Sequence, residues 1–142
     1  MKTAIVTGVT GNLGQAVAKK FLSKGFYVIG TIVPNDPVKV DIKSTFFETR
    51  EVDLMDENST GNFIKNVIEK SKAVDVAVLT VGGFAMGDIS VTKTADVNKM
   101  FRLNFETAYN VARPVFLHMV ERKYGRIFLI GARPGANMKK SS

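Results

Sequence analysis

The sequence predicts an α/β protein built on a doubly wound parallel sheet of five strands in the order 3-2-1-4-5, with helices on both faces. Three observations predict it. Short β-branched, apolar runs alternate with longer segments of helical spacing. The runs are apolar along their whole length, so both faces of each strand are covered, as in parallel sheets. Parallel crossovers are right-handed, which leaves a doubly wound sheet as the economical topology. At 142 residues the chain reads as a single domain, 1–142, with room for one core.

Thr3 to Val6 is a buried strand, and Gly8, Gly11 and Gly14 follow it in a tight loop. From Asn12 to Ser23 the residues Leu13, Ala16, Val17, Ala18, Phe21 and Leu22 repeat at helical spacing, and Lys24-Gly25 stops the helix. Phe26 to Val33 is a second strand, closed by Pro34, Asn35, Asp36 and Pro37. The crossover from Val33 to Phe46 is poor in helical pattern. Phe46 to Leu54 is a third strand, and Asp56 to Ser71 a helix with Phe63, Ile64, Val67 and Ile68 on its buried face. Val74 to Thr80 is a fourth strand, ending at Gly82-Gly83. Thr94 to Arg122 is a long helix, bent or interrupted around Pro114, that carries Val97, Met100, Phe101, Leu103, Phe105, Ala108, Val111, Val115, Phe116 and Met119. Arg126 to Ile130 is a fifth strand, and a linker-like tail starts at Arg133.

Hydrophobic residues make up 45% of the chain and charged ones 23%, a globular composition. With no cysteine, disulfides and thiolate metal sites are excluded, and no metal site is expected. No apolar run approaches the roughly 20 residues that cross a bilayer, and no signal peptide opens the chain, so neither a membrane partner nor export is expected and the cytoplasm is the default location. The net charge of +7 raises nucleic acid as a partner. The cations are dispersed, however: Lys19, Lys20 and Lys24 on one helix, Lys65, Lys70 and Lys72 on another, Lys139 and Lys140 in the tail, all interleaved with acids. That reads as a solvated surface, with a basic rim that suits an anionic cofactor.

Thr7-Gly8-Val9-Thr10-Gly11-Asn12-Leu13-Gly14 has the pattern T-G-x-x-G-x-x-G in the first strand-to-helix turn. A glycine turn there lets backbone approach a pyrophosphate, which rests on the amides and positive end of the helix. Glycine turns also serve packing; the position of this one favours dinucleotide binding in a Rossmann-type sheet.

With this motif in that place, the chain resembles the short-chain dehydrogenase/reductase family over essentially its whole length. The resemblance implies NAD(P)-dependent hydride transfer to a carbonyl or pterin-like small-molecule substrate, with Gly8, Thr10, Gly11, Asn12, Leu13 and Gly14 on the cofactor. Asp53, with Leu54 beside it, matches the family's adenine contact; capping the following helix is the plainer alternative. Where most members read N-N-A-G, this chain has Leu79-Thr80-Val81-Gly82, then Gly83, so Val81, Gly82 and Gly83 are the cofactor-side residues, closer to dihydropteridine-reductase-like members. Asn104 matches the asparagine that supports a proton-relay water and is the catalytic candidate; its plainer reading is satisfaction of a local carbonyl.

Two departures bear on activity. Ala132 stands where the family has its catalytic serine, and a methyl group neither donates to nor accepts from a substrate oxygen. None of Tyr27, Tyr109 or Tyr124 has a lysine four residues on, so the family's Y-x-x-x-K is missing. The family places that tyrosine shortly beyond the position of Ser142, so a chain truncated before the catalytic Tyr/Lys helix, without the family's later strands and inactive by itself, is expected. A non-catalytic NAD(P)-binding sensor or scaffold is the alternative. At the end of the second strand stand Ile32, Val33 and Pro34: no carboxylate repels a 2′-phosphate and no arginine grips one, which leaves NADP or NAD with a lean toward NADP. The resemblance also implies a homo-oligomer paired through the long helix 94–122. His118 carries no neighbouring nucleophile or ligand set and reads as a surface or interface residue.

Overall fold

Five parallel strands hydrogen-bond side by side in a computed structural model that describes residues 1–132. They are β1 (Thr3–Thr7), β2 (Tyr27–Ile32), β3 (Phe47–Glu51), β4 (Val76–Leu79) and β5 (Arg126–Leu129), in the spatial order β3-β2-β1-β4-β5, as the apolar runs predict. The helices are α1 (Asn12–Ser23), α2 (Glu57–Ser71), α3 (Thr94–Phe101) and α4 (Thr107–Arg122), with a π-helical turn, Arg102–Glu106, joining the last two. The tail expected from Arg133 lies outside the described residues.

Strand side chains alternate between two cores. Ile5, Ile29, Ala77 and Leu79 face α2 and α4, where they meet Phe63, Ile64, Val67, Val111, Val115 and Met119. Ala4, Val6, Val28, Val76 and Val78 face the side of α1 and Ala18. The crossover between β2 and β3 contains no helix, as its weak pattern implied; Val40 and Ile42 instead pack against the α1-side core.

Most strand ends shift by one or two residues, and three further differences bear on the architecture. β3 ends at Glu51, three residues short of Leu54, because Val52 to Leu54 leave the sheet edge to form the floor of a cleft. Asp56 is the N-cap of α2, its carboxylate accepting from the amides of Asn58 and Ser59, so the helix proper begins at Glu57. The long helix is interrupted at Arg102–Glu106 and not at Pro114, which α4 carries inside an unbroken helical course. Proline costs α4 one backbone bond, and burial of Val111 and Val115 on either side holds the helix through it.

The long helix also buries fewer apolar residues than its sequence offers. Val111, Val115 and Met119 face the sheet, while Val97, Phe101, Phe105 and Phe116 are each more than half exposed. The far end of α4 is fastened to the amino edge of the sheet. The Val74 amide donates to His118 Nε2 at 3.2 Å, Arg122 reaches the Asp75 carboxylate at 3.4 Å, and Asp75 accepts from the Thr3 amide at 2.8 Å. His118 is therefore a partly buried structural acceptor, not a free surface group.

Candidate functional site

The turn from β1 to α1 stacks its three glycines by contact. Gly8 has φ +70°, a left-handed conformation that favours glycine, and a Cβ there would press Val81 Cγ2 at 3.0 Å. Its amide donates to Thr31 Oγ1 at 3.2 Å and its carbonyl accepts from the Gly11 amide at 3.2 Å. A Cβ on Gly14 would sit 2.1 Å from the Gly8 oxygen. Gly14 is buried, lets α1 lie against the turn and, unlike Gly8, does not line the neighbouring cleft.

α1 and α2, which both begin at the carboxyl edge of the sheet, differ at their N-termini. Asp56 closes the first turn of α2 with its own carboxylate, whereas α1 starts at Gly11 with no side-chain cap and no acid in its first turn. Its leading amides and the positive end of its dipole are left for an external anion. Gly11, Asn12 and Leu13 are exposed there, and Thr10 joins this turn to the neighbouring cleft.

That cleft is a small apolar slot of about 70 Å³. Gly8, Thr10 and Val81 border it on one side, Thr31, Ile32 and Val33 at the end of β2, and Asp53 and Leu54 past the end of β3. Leu54 is buried, and Asp53 is exposed at the rim. Asp53 does not cap α2: its carboxylate accepts from the Met55 amide at 3.0 Å, which fixes the turn. The lining is largely apolar, and Ile32 and Val33 add no charge at the β2 end.

The end of β4 forms the far wall. Thr80 is tied twice to β1, its amide to Thr7 Oγ1 at 3.0 Å and its hydroxyl to the Thr7 carbonyl. The π turn brings Leu103 and Asn104 against the glycines that follow. Asn104 Oδ1 accepts from the Gly83 amide at 2.9 Å while its Nδ2 donates to the Met100 carbonyl at 2.9 Å. A Cβ on Gly82 would meet Asn104 Oδ1 at 2.7 Å, and one on Gly83 would meet Leu103 Cδ2 at 2.3 Å. Asn104 braces the Gly83 amide and satisfies the Met100 carbonyl, which is the plainer of the two readings of its sequence position.

Gly8, Thr10, Asp53, Leu54 and Val81 thus line one slot; Gly11, Asn12 and Leu13 stand at the open helix start; Gly82, Gly83 and Asn104 form a braced wall. Ala132 lies exposed just past β5 at the same edge of the sheet. Sequence reasoning missed Thr7, Thr31 and Thr80, whose hydroxyls lock the loop to the sheet. A β-branched hydroxyl at the carboxyl end of three neighbouring strands was the available signal. It also missed Gly30, above which Val9 is seated: a Cβ there would stand 2.6 Å from both Val9 methyls. A Tyr–Lys hydrogen bond exists, Lys2 Nζ to Tyr124 Oη at 2.8 Å, but it joins residues that precede β1 and β5 and so lies at the opposite edge. Among the described residues no group of three or more His, Cys, Asp or Glu is arranged to hold a metal ion, and no helix is long and apolar enough to cross a membrane.

Comparison with known proteins agrees with this geometry. The family model described as short chain dehydrogenase matches residues 2–141. A 3-oxoacyl-(acyl-carrier-protein) reductase of Buchnera aphidicola is 28% identical, the match covering 92% of this chain and 54% of that protein. A probable NADP-dependent dehydrogenase of Haemophilus influenzae is 32% identical over 94% of this chain and 54% of its own. An acetoacetyl-CoA reductase of an Acinetobacter species is 30% identical over 94% and 57%. The chain spans a little over half the length of these relatives. A solved short-chain dehydrogenase from Streptomyces avermitilis superposes with a TM-score of 0.81 at 24% identity over 89% of this chain, a likeness of fold. With the family model spanning the chain, the strand order fixed and the glycine turn at the first crossover, the protein belongs to the short-chain dehydrogenase family.

Proposed function

We propose that this chain is the nucleotide-binding part of an NAD(P)-dependent oxidoreductase that favours NADP and works on a carbonyl substrate. The observation that carries the reading is the contrast between a self-capped α2 and an uncapped α1 beside a small apolar slot. The amides of Asn12 and Leu13 would receive the pyrophosphate, Leu54 and Val81 would sandwich the adenine with Asp53 at its polar edge, and the Asn104-braced Gly83 loop would support the ribose nearer the reacting end. When bound, the nicotinamide supplies hydride exchange with the carbonyl carbon. The absence of a carboxylate at Ile32 and Val33 leaves room for a 2′-phosphate, and the Haemophilus relative is described as NADP-dependent. The names of the 3-oxoacyl and acetoacetyl-CoA reductases support a carbonyl in place of a pterin. A non-catalytic binding module is the second reading, favoured by Ala132 at the serine's place.

Titration of NADPH and NADH by nucleotide fluorescence tests the proposal. Saturable binding is expected, tighter for NADPH, and about tenfold weaker for both nucleotides in Asp53→Ala, which removes a charge-assisted contact from an exposed rim. No saturation, or an unchanged affinity in that variant, sinks the assignment of the slot. Reduction of acetoacetyl-CoA by the intact parent protein separates the enzyme from the binding module.

A further inference from the structure

Two helix-weakening residues line one cleft on the outer surface, where α2 runs beside α4. Gly61 lies inside α2 and Pro114 inside α4, and both border a cavity of about 240 Å³ that shares no residue with the nucleotide slot. Glycine is a poor helix former, yet a Cβ at Gly61 would meet nothing within 4 Å, so no neighbour demands glycine there. A methyl group there would project into open space at the cleft lining. Proline has no N–H for the carbonyl of Asn110, so an acceptor oxygen loses its helical bond beside the cleft. Departures from local helix rules that packing does not require tend to mark functional positions.

The charges of the cleft are also unspent. Glu57 of α2 and Arg113 of α4 line it, and neither takes part in an ion pair among the described residues. Apart from the ring of Tyr109 and Pro114, the lining is charged, amide or glycine, which suits a small polar molecule and not an apolar helix. Asn110 is tied to the other site: its Nδ2 donates to the carbonyl of Leu54, which lines the nucleotide slot, at 2.9 Å.

We propose that this cleft is a second ligand site that takes a zwitterion of amino-acid size, with its ammonium toward Glu57 and its carboxylate toward Arg113. The inference does not depend on the nucleotide reading. Its test is a titration of the ¹⁵N-labelled chain with L-alanine and γ-aminobutyrate, using butyrate and butylamine as single-charge controls. Saturable shifts at the amides of Gly61, Asn62, Asn110 and Arg113 are expected with at least one zwitterion, at an affinity about tenfold or more above either control. Gly61→Ala, which favours the helix and so keeps the fold, is expected to abolish those shifts, and Arg113→Gln to weaken them similarly. Equal or non-saturating responses to all four probes overturn the proposal. So does wild-type binding by Gly61→Ala, or protection of the α2 amides of Gly61 and Asn62 that rises with protein concentration alone, which would assign the cleft to a second copy.

Discussion

Glycine identity at the site is decided by what a methyl group would strike. Gly30 sits in the middle of the sheet and no turn requires it; its role is to receive Val9, whose methyls a Cβ would approach to 2.6 Å. Val9 is fully buried and its amide donates to the Thr31 carbonyl, so it cannot move without carrying the phosphate-side turn along. Overpacking of this kind costs about 1–3 kcal/mol. Gly30→Ala is therefore expected to lower the urea midpoint and weaken nucleotide binding, and Val9→Ala in the same chain to restore much of both. The double-mutant cycle checks it: additive losses would show that the two residues do not share one space.

At the level of the helix, α4 hangs between two fastenings of different chemistry. Its leading end is braced by the π turn and Asn104 at the site, its trailing end by His118 and Arg122 at the start of β4. His118 accepts from the Val74 amide and must be neutral to do so; burial pushes its pKa below the ordinary value, and the nearby Arg122 pushes the same way, while Glu121 and Asp75 oppose it weakly. A histidine that resists protonation in the folded state contributes stability above its unfolded pKa, near 6.5, and loses it as pH falls toward the lowered folded value. The urea midpoint of the wild type should therefore fall between pH 7.5 and pH 5.5 more steeply than that of His118→Gln, which keeps an acceptor but cannot titrate. Parallel slopes in the two proteins would show that other groups govern this range.

At the level of the molecule, the two sheet edges are finished differently. β3 carries Glu48, Arg50 and Glu51, with Arg50 paired to Glu48 at 2.9 Å and bonded to Asn66, a charged edge that discourages pairing. β5 and the residue after it offer Phe128, Leu129 and Ile130, each about half exposed or more, and α3, the π turn and α4 add the stacked rings of Phe101, Phe105 and Tyr109. Val115 and Met119 of the same helix are buried against the sheet and contribute nothing to this area. What remains is still a contiguous apolar surface of a kind that monomers rarely present. The 142-residue chain is expected to form dimers or larger species through this edge and the helix 94–122. Light scattering checks it, and Phe105→Glu with Leu129→Lys should reduce the mass toward one chain; a wild-type monomer at micromolar concentration would refute this account of the edge.

The sequence by itself determined the strand order, the place of the glycine turn and most of the slot, because those depend on local rules: apolar runs, glycine spacing and the handedness of crossovers. Asp53, Leu54 and Val81 were legible because each follows a strand at a fixed distance, and strands of a parallel sheet end at one edge. Tertiary contact decided the rest. That Gly14 packs while Gly8 borders the slot depends on which backbone lies 2.1 Å away. That the long helix breaks at Arg102–Glu106 and not at Pro114 depends on the contact of Asn104 with Gly83, since a wide turn is tolerated where side chains repair it and a proline is tolerated where buried neighbours hold both flanks. That Thr7, Thr31 and Thr80 serve the site depends on adjacency across strands far apart in the chain, and periodicity along one strand carries no information about its neighbours.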